Sequence, residues 1–131
     1  MTDIPWDELR RAADEVSQRA YVPYSNFHVG AAALVNDGRI IAACNVENAS
    51  YGLGLCAECG LVSVLHATGG GQLVAVVTRA QGRSVMPCGR CRQLLWEQGG
   101  PDCLLDGDGD PKPMRDVLPD AFDASDLTAS D

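Results

Sequence analysis

Two Cys-x-x-Cys pairs, Cys56/Cys59 and Cys88/Cys91, lie 28 residues apart, and a carboxylate, Glu58, sits inside the first pair. Paired cysteines at this spacing predict zinc, which accepts sulfur ligands and brings no redox chemistry. Two kinds of site fit. In a closed structural site all four thiolates bind, the metal is chemically idle, and Glu58 is an exposed first-turn acid favoured by a helix dipole. In an open site Cys56, Cys88 and Cys91 bind, leaving one position for a water that zinc makes more acidic. Glu58 then moves protons as a carboxylate that is not a ligand. Cys59 separates the two readings. It lies three residues after Cys56 on a predicted helix, so both side chains share a face and Cys59 can approach the metal.

Each pair falls at or near a predicted helix start, where free N–H groups and partial positive charge stabilise thiolates. One helix runs from Cys56 to about Thr68 and is stopped by Gly69-Gly70-Gly71; a second follows Pro87 and runs to about Gln98. An amphipathic helix is expected over Ile4 to Ala20, with Asp3 as its cap and Pro5 in its first turn. Val29–Val35 and Arg39–Val46 read as strands joined by a tight turn at Asn36-Asp37-Gly38. Asn48–Leu55 reads as a loop, Leu73–Thr78 as a buried strand and Arg79–Met86 as a loop. A further strand is expected at Cys103–Asp106, turns over Asp106–Pro113, a helical turn at Met114–Leu118 and a fraying acidic tail past Asp123. This order predicts a single α/β domain over residues 1–131, with a mixed sheet and residues 124–131 as a flexible tail.

Composition narrows the partners. The net charge is −8, and nine Asp face only Lys112 and Arg115 from Pro101 onward. Such a surface repels a phosphate backbone, so nucleic acid is not expected and a small uncharged substrate is. The start of the chain carries no signal-like apolar stretch, and no segment has the ~20 apolar residues of a membrane span. The expectation is a cytoplasmic protein, whose paired cysteines hold metal rather than disulfides. Cys44 and Cys103, each with apolar neighbours, read as buried thiols, and His28 and His66 as structural.

Zinc deaminases of nucleobases carry a His or Cys, a Glu two residues later, and then Pro-Cys-x-x-Cys. Residues 56–58 and 87–91 match the three-cysteine form. Beyond them, the chain resembles the short-chain cytidine deaminases, usually homotetramers, through Tyr21–Gly30 (YVPYSNFHVG), Asn45–Tyr51 (NVENASY), Cys56-Ala57-Glu58, Pro87–Gln93 (PCGRCRQ) and Leu118–Phe122 (LPDAF). The resemblance implies a three-layer α-β-α fold with a mixed central sheet of about five strands. It also implies one zinc per subunit held by Cys56, Cys88 and Cys91, with Glu58 as proton shuttle. Asn45 and Glu47 would bind the sugar hydroxyls, and Phe27 and Ala57 would lie against the base. Tyr51 and Phe122 would complete a pocket from a neighbouring subunit. The implied reaction is hydrolytic deamination of cytidine and 2′-deoxycytidine to uridine and deoxyuridine plus ammonia, a step of pyrimidine salvage.

Read without the family, these residues say less. Asn45 and Glu47 are loop polars whose i, i+2 spacing puts both on one side, Phe27 at a strand entrance reads as core, and Phe122 as a docking anchor. No basic residue in the sugar motif meets a phosphate, so the 5′ end should be neutral. Other aminated nucleosides remain open as substrates, as does a four-cysteine module. Many relatives have Arg where this chain has Cys59. Three thiolates leave zinc with a formal −1, so the two helix N-termini and Arg92 are expected to offset that charge, Arg92 taking a larger share here in the absence of that Arg.

Overall fold

The computed structural model describes residues 3–128; the last residues of the expected acidic tail, 129–131, lie outside them. An interior strand, β1 (Val29–Val35), is almost wholly buried and made of small and apolar residues. It pairs antiparallel with β2 (Ile40–Cys44) on one side and with β3 (Leu73–Ala80) on the other. Beyond β3 the sheet continues through parallel β5 (Leu104–Gly107) to antiparallel β6 (Gly109–Pro113), while β4 (Arg83–Ser84) folds back on the end of β3. The sheet is therefore mixed, with five strands along its path and the two-residue β4 as a sixth beside β3.

Helices cover both faces, which explains why β1 is apolar throughout instead of alternating. On one face α1 (Trp6–Ser17) sets Leu9 and Ala13 against Ala32, Ala75 and Val77. On the other, α2 (Ala57–Ala67) and α3 (Gly89–Gly99) bury Leu61, Leu65 and Leu95 against Ala31, Ala33 and Val76. The result is the expected three-layer α-β-α domain. Gly30 marks the closest approach of α1 to the sheet, because a Cβ there would collide with the Ala13 carbonyl.

Several sequence expectations need correction. Helix α1 starts at Trp6 with Pro5, not Asp3, at its N-cap, and ends at Ser17 because Gln18–Ala20 turn tightly through bonds from their N–H groups to Glu15, Val16 and Ser17 carbonyls. The predicted loop after Thr78 contains the end of β3, a two-residue turn with positive φ at Gln81 and Gly82, and β4. The predicted turns over 106–113 contain β6, whose Gly109, Pro111 and Pro113 are tolerated because it is the last strand of the sheet. After the expected helical turn, α4 (Met114–Val117), a short α5 spans Ala124–Thr128 in the tail expected to fray. The Asp123 carboxylate accepts the Ser125 N–H at its start. Cys103 is buried as expected, and its thiol is pushed up to about 12 by burial. Cys44, at the end of β2, is only half-buried.

Candidate metal centre and catalytic pocket

Helices α2 and α3 start side by side beneath the sheet. Cys56 is the N-cap of α2, Cys88 the N-cap of α3, and Cys91 lies in the first turn of α3. Their three sulfurs lie within 4.8 Å of one another, and among the described residues that group excludes Cys59. Cys59 is half-buried on the next stretch of α2, near enough for its charge to act on Cys56.

The donor set fits zinc. Zinc–sulfur bonds of about 2.3 Å in a tetrahedral shell place sulfurs roughly 3.8 Å apart, within the observed spread. The electrostatics also call for a cation. Burial pushes the Cys91 thiol far up, aided by the negative charges of Glu58 and Cys56. Burial likewise raises Cys56, while Cys88 is lowered, chiefly by the backbone N–H of Cys91. Bare thiolates are thus opposed at two of the three positions, and a divalent ion supplies the charge that would let all three deprotonate.

Glu58, in the first turn of α2, is 4% exposed and stands next to the sulfur group without belonging to it. Its Oε2 accepts the hydroxyl of Thr78, from β3, at 2.9 Å. Ala57 is fully buried beside it. The sequence marks Thr78 only as the end of a buried strand, because a Thr closing an apolar strand looks like ordinary β-propensity. Only the period-2 alternation of β3, combined with the placement of α2, brings it to Glu58.

Arg92, on α3, directs Nε to the Pro87 carbonyl (2.9 Å) and Nη1 to the Val117 carbonyl (3.0 Å). It therefore grips the residue that delivers Cys88 and ties that loop to α4.

The loops after β2 and before β1 form one hydrogen-bonded unit. Asn45 Oδ1 accepts the Val29 N–H (2.9 Å) and Nδ2 donates to the Phe27 carbonyl (3.0 Å). Glu47 Oε1 accepts the N–H groups of Tyr24 (3.0 Å) and Ser25 (3.2 Å), and Oε2 accepts the Ser25 hydroxyl. That hydroxyl is the foremost reason the Glu47 carboxyl is held below its ordinary value. Asn45 keeps one donor hydrogen and one lone pair for a ligand, and Glu47 keeps one lone pair. Glu47 lines a cavity of about 390 Å³ with Tyr24, Ser25, Asn48, Tyr51 and Gly54.

Phe27 is 40% exposed rather than core, and Tyr51 is 91% exposed. Phe122 is also exposed, at 57%, with its carbonyl accepting from Gln93 Nε2 (2.7 Å). The two histidines take structural bonds, His28 Nδ1 with the Ser17 carbonyl and His66 Nε2 with Gln98 Oε1.

The chain is similar to several known proteins. Residues 6–105 match the family model described as the cytidine and deoxycytidylate deaminase zinc-binding region. A cytidine deaminase of Mycobacterium tuberculosis is 55% identical over 128 residues, covering 97% of this chain and 96% of that protein. One from Halalkalibacterium halodurans is 41% identical, covering 91% and 95%. The crystal structure of the Mycobacterium tuberculosis enzyme superposes with a TM-score of 0.90, covering 92% of this chain and 99% of that one at 55% identity. That of the Mycobacterium leprae cytidine deaminase gives 0.88, with 89% and 99% covered, also at 55% identity.

Proposed function

This chain belongs to the cytidine and deoxycytidylate deaminase family, and on that footing we propose that it hydrolyses cytidine and 2′-deoxycytidine to uridine and deoxyuridine with release of ammonia. The observation that carries the reading is a buried carboxylate, Glu58, set beside three mutually close sulfurs at two helix starts. Cys56, Cys88 and Cys91 hold zinc, which when bound acts as a Lewis acid and makes a water more acidic. Glu58 takes the first proton of the attacking water and gives it to ring nitrogen 3, then takes the second from the new hydroxyl on carbon 4 and gives it to the amine as the bond from carbon 4 to that nitrogen breaks. Its burial suits it to this exchange, since a carboxylate kept from bulk water has few competing partners for the proton.

The remaining donor of Asn45 and the remaining lone pair of Glu47 meet the sugar hydroxyls, and Phe27 packs on the base. Ala57 borders the ring at the start of α2. An uncharged nucleoside suits a loop whose ionised group is a carboxylate.

Tyr51, Leu53, Leu55 and Phe122 are large apolar side chains left exposed, the kind of surface that self-association covers. Self-association into a homotetramer covers them and brings Tyr51 and Phe122 into neighbouring pockets. Among the described residues no helix is long and apolar enough to cross a membrane. We place the protein in the cytoplasm, where it serves pyrimidine salvage. An ultraviolet assay with purified protein and cytidine tests the activity. Absorbance should change as the amine is lost, and a zinc chelator should stop the change; no change with zinc-replete protein refutes the reading.

A further inference from the structure

Glu58 has more side-chain freedom than its task allows. Three torsions separate its carboxylate from the helix, and a proton carrier has to present one oxygen at a fixed place. The structure supplies the constraint from outside α2. In β3, Ala75 and Val77 pack against α1, and Arg79 reaches Asp14 of α1. The alternate positions, Val76 and Thr78, therefore face α2 and α3. Thr78 is 3% exposed, its backbone is paired with Ala31 of β1, and its carbonyl accepts the Val85 N–H at 2.9 Å. A β-branched side chain on a central strand has little rotamer freedom. Its hydroxyl oxygen is therefore held in place, and it donates to Glu58 Oε2 at 2.9 Å.

We propose that Thr78 is the positioning residue for Glu58, holding Oε2 so that Oε1 is the oxygen that receives and returns the proton. The inference rests on the reading of Glu58 as proton carrier. Its logic is directional. A proton on Oε2 would require the Thr78 hydroxyl to stop donating to that atom and turn, whereas a proton on Oε1 leaves the bond to Thr78 intact. The carboxylate can then cycle between its two states without turning.

The test compares Thr78→Val, which replaces the hydroxyl with a methyl of similar size, Thr78→Ser, which retains it, and Glu58→Gln. All are prepared with zinc bound. Losing a buried bond to a charged group should lower the kcat of Thr78→Val about tenfold or more. Its KM should stay within about twofold, because substrate contacts are untouched. Zinc content should match the parent, the thermal midpoint should fall by no more than about 5 °C, and Thr78→Ser should recover most of the lost kcat. A kcat for Thr78→Val equal to the parent's, with Glu58→Gln inactive, overturns the role of Thr78 and leaves that of Glu58 standing. A loss explained entirely by missing zinc, or shared equally by Thr78→Ser, also overturns it. An active Glu58→Gln overturns the reading of Glu58 and this inference together.

Discussion

Asn45 holds Phe27 by its main chain: Nδ2 donates to the Phe27 carbonyl at 3.0 Å while Oδ1 accepts the N–H of Val29. One amide thus replaces two backbone partners at the entrance to β1, and what remains of its hydrogen-bonding capacity points to a ligand role. The loop it organises continues through Ser25, whose hydroxyl accepts the Phe27 N–H and donates to Glu47.

Asn45→Ala removes both the loop clamp and the proposed sugar contact. With one to two bonds lost at about 1 kcal/mol each, KM for cytidine should rise roughly tenfold. The kcat should fall less, because Glu58 and the sulfur group lie on other elements. Steady-state kinetics check this; an unchanged KM would mean that neither the clamp nor the contact matters.

Cys59 distinguishes a three-sulfur from a four-sulfur site. Its sulfur stands outside the group formed by Cys56, Cys88 and Cys91. Cys59→Ser should therefore keep its zinc, its fold and most of its turnover. Metal analysis and the cytidine assay on the purified variant provide the check, and loss of metal together with fold would restore the closed four-cysteine site.

Much of this was legible in the residues, for identifiable reasons. The cysteine spacing brought sulfurs to two helix starts, signalled locally by Pro87 before one and an apolar helical pattern after the other, but it left Cys59 open as a fourth ligand, and only the motif around Glu58 set Cys59 aside. Strand β1 was legible to the residue, since an apolar run ending in Asn-Asp-Gly has few other conformations. Strand β6 was not, because two prolines and a glycine mark turns until a neighbouring strand is known to pair with one side only. The bond from Thr78 to Glu58 spans 20 residues between a strand and a helix, so no local pattern encodes it. The same holds for Arg92, whose position suggested a charge facing sulfur but whose two bonded donors reach the carbonyls of Pro87 and Val117.

Those two bonds make Arg92 a prediction about metal retention. With Arg92→Ala the Pro87 carbonyl loses its partner, and the segment delivering Cys88 gains freedom. Zinc release to a chromophoric chelator should accelerate, or turnover fall, by more than about tenfold, a loss typical of residues that orient metal ligands. Arg92→Lys should recover little, since one ammonium on a flexible stem does not reproduce a planar fork across two carbonyls. Zinc release and turnover that both match the parent would remove Arg92 from any account of the site.

On the opposite face of the sheet, stability should carry a pH signature. Asp106, on β5, is 1% exposed, and its carboxylate accepts Arg10 Nε and Nη2, each at 2.9 Å, and the Ser84 hydroxyl at 2.5 Å. Burial alone would raise this carboxyl; the bonds from Arg10 and Ser84 outweigh it and hold the group below its ordinary value of 3.8. A folded pKa below the unfolded one means that the unfolded chain binds the proton more readily, so the stabilisation is complete above the unfolded value. It is lost as pH falls through the folded value. Asp106→Asn should cost about 2 kcal/mol at pH 7, the worth of hydrogen bonds to a charged group. The gap to the parent should narrow as the pH drops below 3.8. Urea unfolding of both proteins from pH 7 to pH 3 measures it, and a gap that stayed constant across that range would show that the charge on Asp106 does not stabilise the fold.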